Sequence, residues 1–150
     1  MSPNLTAFLA MIAHSEIGPT LLAASDDGYN VLVGGKLFDG YADHPRRLVD
    51  LGHGLKSTAA GRYQILVRYF DAYRKQLGLP DFGRESQDAI AVRMVKEQGA
   101  LDDVEAGRFD QAVAKCKNIW ASLPGAGYGQ HENKLADLRA AYSAAGGVAV

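Results

Sequence analysis

Leu5, Phe8, Leu9 and Ile12 recur at three- and four-residue intervals, the repeat that places apolar side chains on one face of an α-helix. Ser2-Pro3 ahead of them reads as a helix start, a cap residue followed by proline at the first helical position. Gly18-Pro19 reads as the stop. Leu21 to Asp27 breaks the repeat and is read as loop. Two short β-type runs follow, Val31-Leu32-Val33 and Lys36-Leu37-Phe38, joined by Gly34-Gly35. Paired glycines supply the positive φ angles of a tight hairpin turn. From Tyr41 to Ser57 the chain is polar and irregular, with His44-Pro45-Arg46-Arg47 and Gly52-His53-Gly54, and suits a surface lobe or lip. Helical spacing then predicts helices over Tyr63 to Leu77, Ser86 to Gln98, Phe109 to Ile119 and His131 to Tyr142. Gly78, Gly83, Gly99 and Pro124 punctuate them, and the tail after Ala145 is expected to fray. The pattern predicts an α+β chain, mainly helical, with one small hairpin lobe.

Composition narrows the function classes more than the fold. The 150 residues have the length of one domain, so 1–150 is taken as a single unit able to bury a core without staples. Sixteen basic residues nearly balance seventeen acidic ones, and the net charge of -1 leaves no electrostatic footprint for nucleic acid and no polybasic membrane segment. Cys116 is the single cysteine, so the fold forms without an intramolecular disulfide, as suits a reducing cytoplasm. Its burial as a small hydrophobe is expected rather than a reactive thiol. Met1-Ser2-Pro3-Asn4 lacks the charged start and apolar core of a signal peptide, and no stretch is long enough to span a bilayer. A substrate outside the cytoplasm would need a separate route.

Glu16 is the residue most worth a chemical reading. It falls near the azimuth of Leu5, on the stripe that contains Ile12, and at the C-terminal end of the first helix, where the macrodipole disfavours negative charge. Partial burial and the dipole both raise a carboxyl pKa, and a glutamic acid kept neutral can protonate a glycosidic oxygen. A solvated helix-end glutamate fits the same position. A hydrolase would pair it with a second carboxylate. Asp26, Asp27, Asp39 and Asp43 are candidates, though Asp26-Asp27-Gly28 also reads as a plain turn. In Gly61-Arg62-Tyr63-Gln64 the glutamine could bond a sugar amide and Tyr63 could stack on a sugar ring, or the segment could simply open a helix. Pro124-Gly125-Ala126-Gly127-Tyr128-Gly129-Gln130 lacks the spacing of a phosphate loop. Its glycines favour mobility or close ligand approach, and Tyr128 suits a carbohydrate contact. His14, His44, His53 and His131 show no metal-pair spacing; surface histidines are expected rather than a zinc site of His44, His53 and an aspartate. No Gly-x-Ser-x-Gly elbow is present, and nothing local pairs Cys116 with a base.

Several blocks in order along the chain carry a resemblance. They are Ala7-Phe8-Leu9 with Ser15-Glu16, Val33-Gly34-Gly35 with Leu37-Phe38, and Asp43-His44-Pro45-Arg46. Then come Leu55-Lys56-Ser57-Thr58, Gly61-Arg62-Tyr63-Gln64, and Asp71-Ala72-Tyr73-Arg74-Lys75-Gln76-Leu77-Gly78-Leu79. The longest runs from Asn118-Ile119-Trp120 through Gly129-Gln130. With these the chain resembles the phage lambda endolysin family, soluble lytic transglycosylases with a lysozyme-like fold and a substrate cleft.

The resemblance implies cleavage of the β-1,4 bond between N-acetylmuramic acid and N-acetylglucosamine in peptidoglycan, leaving a 1,6-anhydro-muramoyl end. It maps the family's glutamate to Glu16, which protonates the leaving oxygen and then accepts the proton of the muramoyl C6 hydroxyl. That internal nucleophile removes the need for a catalytic aspartate. Ser15, Ser57, Tyr63, Gln64, Tyr128 and Gln130 are the substrate-binding positions that it implies, with Arg47–Ser57 and Gly125–Gln130 as lips over the groove. It implies no cofactor and no metal, a monomer, a host-cytoplasmic origin, and release to the periplasmic wall by a membrane-permeabilising holin. His14 stands where a tryptophan is expected and Ile17-Gly18-Pro19 replaces a more polar stretch, differences that bear on substrate fit rather than chemistry. Two other readings compete: a hydrolysing muramidase using Glu16 with Asp26 or Asp27, and a non-catalytic glycan-binding module.

Overall fold

Ser2 caps the first helix, α1 (Pro3–Ile17), through a hydrogen bond from the Leu5 N–H to Ser2 Oγ at 3.1 Å, as the Ser-Pro start predicts. The computed structural model describes residues 1–129 and 131–150. Gly18, at φ 88°, breaks α1 in a conformation that side-chain-bearing residues avoid. Pro19 then opens a second helix, α2 (Pro19–Ala23), where loop was expected. Its five residues are too few to show a repeat, and none is buried.

The chain divides into two compact units, one of Met1–Glu16 with Ala91–Val150 and one of Ile17–Ile90. In the first, α1 buries Leu5, Ala7, Phe8, Leu9, Met11, Ile12, Ala13 and Ser15. Phe8 meets Phe109 edge-on at 6.3 Å, and Phe109 packs on Tyr142 at 4.7 Å. Helix α4 (Arg84–Glu97) runs across the division at Ile90. Helix α5 (Leu101–Ala106), absent from the sequence reading, ends at Gly107 in the left-handed conformation, and α6 (Phe109–Cys116) follows. Buried Asp103 joins them, accepting from Arg108 Nε at 2.7 Å and Lys115 Nζ at 2.6 Å. Cys116 is buried as expected, and burial pushes its thiol up to about 12. Helix α7 (Leu135–Ala144) begins four residues later than predicted, because 131–134 run without helical structure. The tail does not fray. Val148 N–H donates to Asn4 Oδ1 at 3.0 Å and Val150 N–H to the Gly107 carbonyl at 2.9 Å. Gly147 allows this return, since a Cβ there would lie 2.4 Å from the Tyr142 ring.

The second unit holds the sheet. Strands β1 (Val49–Gly52) and β2 (Leu55–Ser57) pair antiparallel, with Gly52 opposite Leu55. The hairpin therefore sits in the segment read as irregular. Its two-residue turn is His53-Gly54, with φ of 53° and 76°, and positive φ at both central positions matches the twist of the flanking strands. The expected hairpin at Val31–Phe38 forms in short form around Gly34-Gly35: Val31 bridges Leu37, the Leu32 N–H donates to the Lys36 carbonyl at 2.7 Å and the Phe38 N–H to the Asn30 carbonyl at 2.9 Å, while Leu32 also bridges Ala60, which pairs in turn with Ile65. Helix α3 (Val67–Leu77) starts later than predicted. Gly61 and Gln64, at φ 84° and 51°, cannot be helical. His44 is also a correction. It is buried among Phe70 and Phe82, its Nε2 2.8 Å from the Ile65 carbonyl and its Nδ1 accepting from the Arg46 N–H at 3.0 Å. Burial holds its pKa below the ordinary histidine value, and the neutral ring is a core residue rather than a surface ligand.

Candidate active site

Glu16 is half-buried on the last turn of α1. Burial raises its pKa from 4.5 to about 7, and hydrogen bonds from the Ser122 hydroxyl and backbone N–H pull in the opposite direction. Ser122 lies in the loop after α6, and its Oγ donates to Glu16 Oε2. Ser15 Oγ stands 2.8 Å from Ser122 Oγ. The Asn133 side-chain amide donates to the Ser15 carbonyl at 2.9 Å and to Ser15 Oγ at 3.0 Å. Asn133 N–H donates to the Ser122 carbonyl at 2.8 Å, which ties the segment before α7 to the same loop. Glu16 thus sits at the end of a polar chain, neutral at mildly acidic pH and ionised at mildly alkaline pH. A carboxyl poised this way can act as acid and as base near neutrality.

Ser15 was expected to touch substrate. It is 7% exposed, and its hydroxyl is engaged by Ser122 and Asn133, so it supports Glu16 instead. Tyr63 also departs from expectation. Its ring is 1% exposed, set edge-on to Tyr29 at 6.4 Å with the Arg62 guanidinium over it, and its hydroxyl donates to Asp88 at 2.6 Å. A ring so enclosed has no face for a sugar. Gln64 is partly exposed in a left-handed conformation rather than at a helix start. Its Nε2 donates to the Gly61 carbonyl at 2.8 Å and the Val31 carbonyl at 3.2 Å, which leaves Oε1 as an acceptor. Ser57, at the end of β2, accepts from the Ala59 N–H at 3.1 Å. Tyr128 is 57% exposed between Gly127 and Gly129, and its hydroxyl donates to the Asn118 carbonyl at 3.2 Å. Gln130 lies outside the described residues.

Three of the four candidate aspartates face cationic partners. Asp26 accepts from Tyr41 Oη at 2.6 Å and from the Arg84 guanidinium, and the Tyr41 bond leads the causes that hold its pKa below the ordinary carboxylate value. Asp27 lies 3.7 Å from an Arg62 nitrogen. Asp43 is bridged by Arg46 at 2.8 Å and Arg74 at 3.4 Å. Asp39 is exposed. Among the described residues no group of three or more His, Cys, Asp or Glu side chains could hold a metal ion.

Three residues escaped the sequence reading. Ser122 and Asn133 reach Glu16 and Ser15 over more than a hundred positions, and no local pattern announces such a contact. Glu132 accepts from the Gly125 N–H at 2.8 Å and the Gly127 N–H at 3.0 Å, pinning the glycine loop that carries Tyr128. A carboxylate a few residues beyond a run of glycines was the available signal.

A family model described as Endolysin matches residues 6–149. The chain is 56% identical over 142 residues to the endolysin of Escherichia phage lambda, covering 94% of this chain and 90% of that protein. It is 47% identical over 155 residues to the endolysin of Escherichia phage P2, covering 97% of this chain and 94% of that one. Bacteriophage lambda lysozyme complexed with a chitohexasaccharide superimposes with a TM-score of 0.96 at 52% identity, over 100% of this chain and 98% of that one. A second structure, lysozyme from bacteriophage lambda, gives 0.90 at 51% identity over the same shares. The fold is α+β and lysozyme-like.

Proposed function

The chain belongs to the endolysin family, and on that premise we propose that it cuts the glycan strands of peptidoglycan as a lytic transglycosylase, with Glu16 as its one acid and base. The observation that carries the reading is the state of Glu16: half-buried, poised at about 7, and hydrogen-bonded by the Ser122 hydroxyl. The chitohexasaccharide bound by the lambda relative supports a β-1,4-linked amino-sugar chain as the kind of ligand. Tyr128, exposed on its loop, offers an aromatic face to such a chain.

The chemistry follows from one proton moving twice. Neutral Glu16 gives its proton to the glycosidic oxygen as the bond from that oxygen to muramoyl C1 breaks. The ionised carboxylate then takes the proton of the C6 hydroxyl as that oxygen bonds to C1. Glu16 ends as it began, and no water is consumed. Delivery of the nucleophile by the substrate itself replaces much of the entropy cost of positioning one. A hydrolase would need a further carboxylate to attack or to activate water, and Asp26 is engaged by Tyr41 and Arg84. Among the described residues no helix is long and apolar enough to cross a membrane. The family reading assigns passage to the cell wall to a separate membrane-permeabilising holin.

Glu16→Gln tests the assignment. The variant should keep its fold and lose turnover of purified sacculi by at least about a thousandfold, the scale of acid-base catalysis. A folded Glu16→Gln protein that still clears sacculi removes Glu16 from the chemistry.

A further inference from the structure

The chain of hydroxyls behind Glu16 has a direction, and Asn133 sets it. A backbone carbonyl can only accept, so the contact of 2.9 Å with the Ser15 carbonyl identifies the nitrogen end of the Asn133 amide. The same nitrogen lies 3.0 Å from Ser15 Oγ, which is therefore the acceptor there as well. Ser15 keeps its own proton for the partner at 2.8 Å, Ser122 Oγ. Ser122, having accepted from Ser15, spends its proton on Glu16 Oε2. Every link points the same way.

We propose that Asn133 is a positioning residue for catalysis, acting through Ser15 and Ser122 to hold Glu16 Oε2 as a hydrogen-bond acceptor and so to keep the transferable proton on Oε1. The proposal rests on the reading of Glu16 as the acid. In the neutral acid, an Oε2 that already accepts from Ser122 leaves Oε1 as the oxygen that carries the proton. After proton transfer, the same donor steadies the new carboxylate. The Asn133 backbone adds to this, because its N–H to the Ser122 carbonyl at 2.8 Å fixes the loop that bears the last hydroxyl. Burial and these donors oppose each other at Glu16, so loosening the chain should move its titration upward. Charged or titratable side chains on the segments that form the chain are His14 on α1, Lys117 after α6, and His131, Glu132 and Lys134 before α7. They are common to wild type and variants, so the difference between profiles isolates the chain.

The test is the pH profile of kcat and KM on purified glycan strands for wild type, Asn133→Ala, Ser15→Ala and the double variant, with Glu16→Gln alongside. Asn133→Ala should lower kcat about tenfold with KM within about twofold, and raise the alkaline limb by about half a pH unit. Ser15→Ala should do the same, and the double variant should be no worse than Ser15→Ala alone, because both break one chain. A folded Asn133→Ala protein with the wild-type profile, or a double variant whose losses multiply, overturns the proposal. If Asn133→Ala does not fold, the profile of Ser15→Ala decides by the same criterion. If Glu16→Gln is inactive while the Asn133 and Ser15 profiles are unmoved, the chain alone is refuted. If Glu16→Gln is active, the reading beneath it fails first.

Discussion

Replacing Glu16 with glutamine should stabilise the protein at alkaline pH, by an amount that the site determines. The carboxyl titrates at about 7 in the folded chain against an ordinary 4.5, chiefly because burial penalises its charge. The folded state therefore holds this proton more tightly than the unfolded state does. Its contribution to stability is fully present below the unfolded value and is lost as pH rises from about 4.5 through about 7. A difference of about 2.5 pH units, at about 1.4 kcal/mol each, amounts to about 3 kcal/mol once both states are ionised. Most of that falls between pH 5 and pH 8. Glutamine has nearly the same shape and can still accept from Ser122 through its carbonyl oxygen, but it has no proton to lose. The stability of Glu16→Gln relative to wild type should thus rise by roughly 2–3 kcal/mol from pH 5 to pH 8. Urea unfolding followed by the fluorescence of Trp120, the single tryptophan and 1% exposed, measures it at each pH. All other titrating groups are shared and cancel in the difference. A difference that stays constant within about 0.5 kcal/mol across that range would show that Glu16 is not held neutral by burial, and the acid assignment would lose its physical basis.

Two further outcomes follow. Asp26→Asn with Asp27→Asn should leave turnover within about tenfold of wild type, since exposed ion pairs contribute little and neither aspartate is needed for attack; a folded, inactive double variant would favour hydrolysis. Glu132→Ala releases the Gly125 and Gly127 N–H groups, so KM for glycan strands should rise several-fold with little change in kcat, and equal kinetics in the two proteins would show that the loop needs no pin.

What could be read from the sequence was local. The Ser2-Pro3 start and Gly18 stop bound α1 almost to the residue, because caps and breakers act on the nearest turn of backbone. Glu16 was visible for the same reason, as a carboxylate continuing an apolar stripe at a helix end. The Gly34-Gly35 turn was legible and carries a short bridged pair, but the longer two-stranded ribbon was missed. Its two-residue turn is His53-Gly54, in a segment whose exposed Leu51 and Leu55 carry no burial pattern. Tyr63 was taken for a ligand contact because its chemistry suits a sugar, and Ser15 because the family resemblance implies it; both are buried, and burial depends on distant packing. Ser122 and Asn133 were invisible for the complementary reason, since only the tertiary fold brings them to Ser15 and Glu16.

The central claim is that the substrate's own C6 hydroxyl attacks C1 after Glu16 protonates the leaving oxygen. Mass spectrometry of muropeptides released from purified sacculi by the wild-type protein tests it most directly, because the two mechanisms leave products that differ by one water. The account predicts new chain ends that are 1,6-anhydro-muramoyl, about 18 Da lighter than the reducing form, since no water is taken up when the nucleophile is internal. New chain ends that are free reducing muramic acid would contradict it and assign the second role to water and another carboxylate.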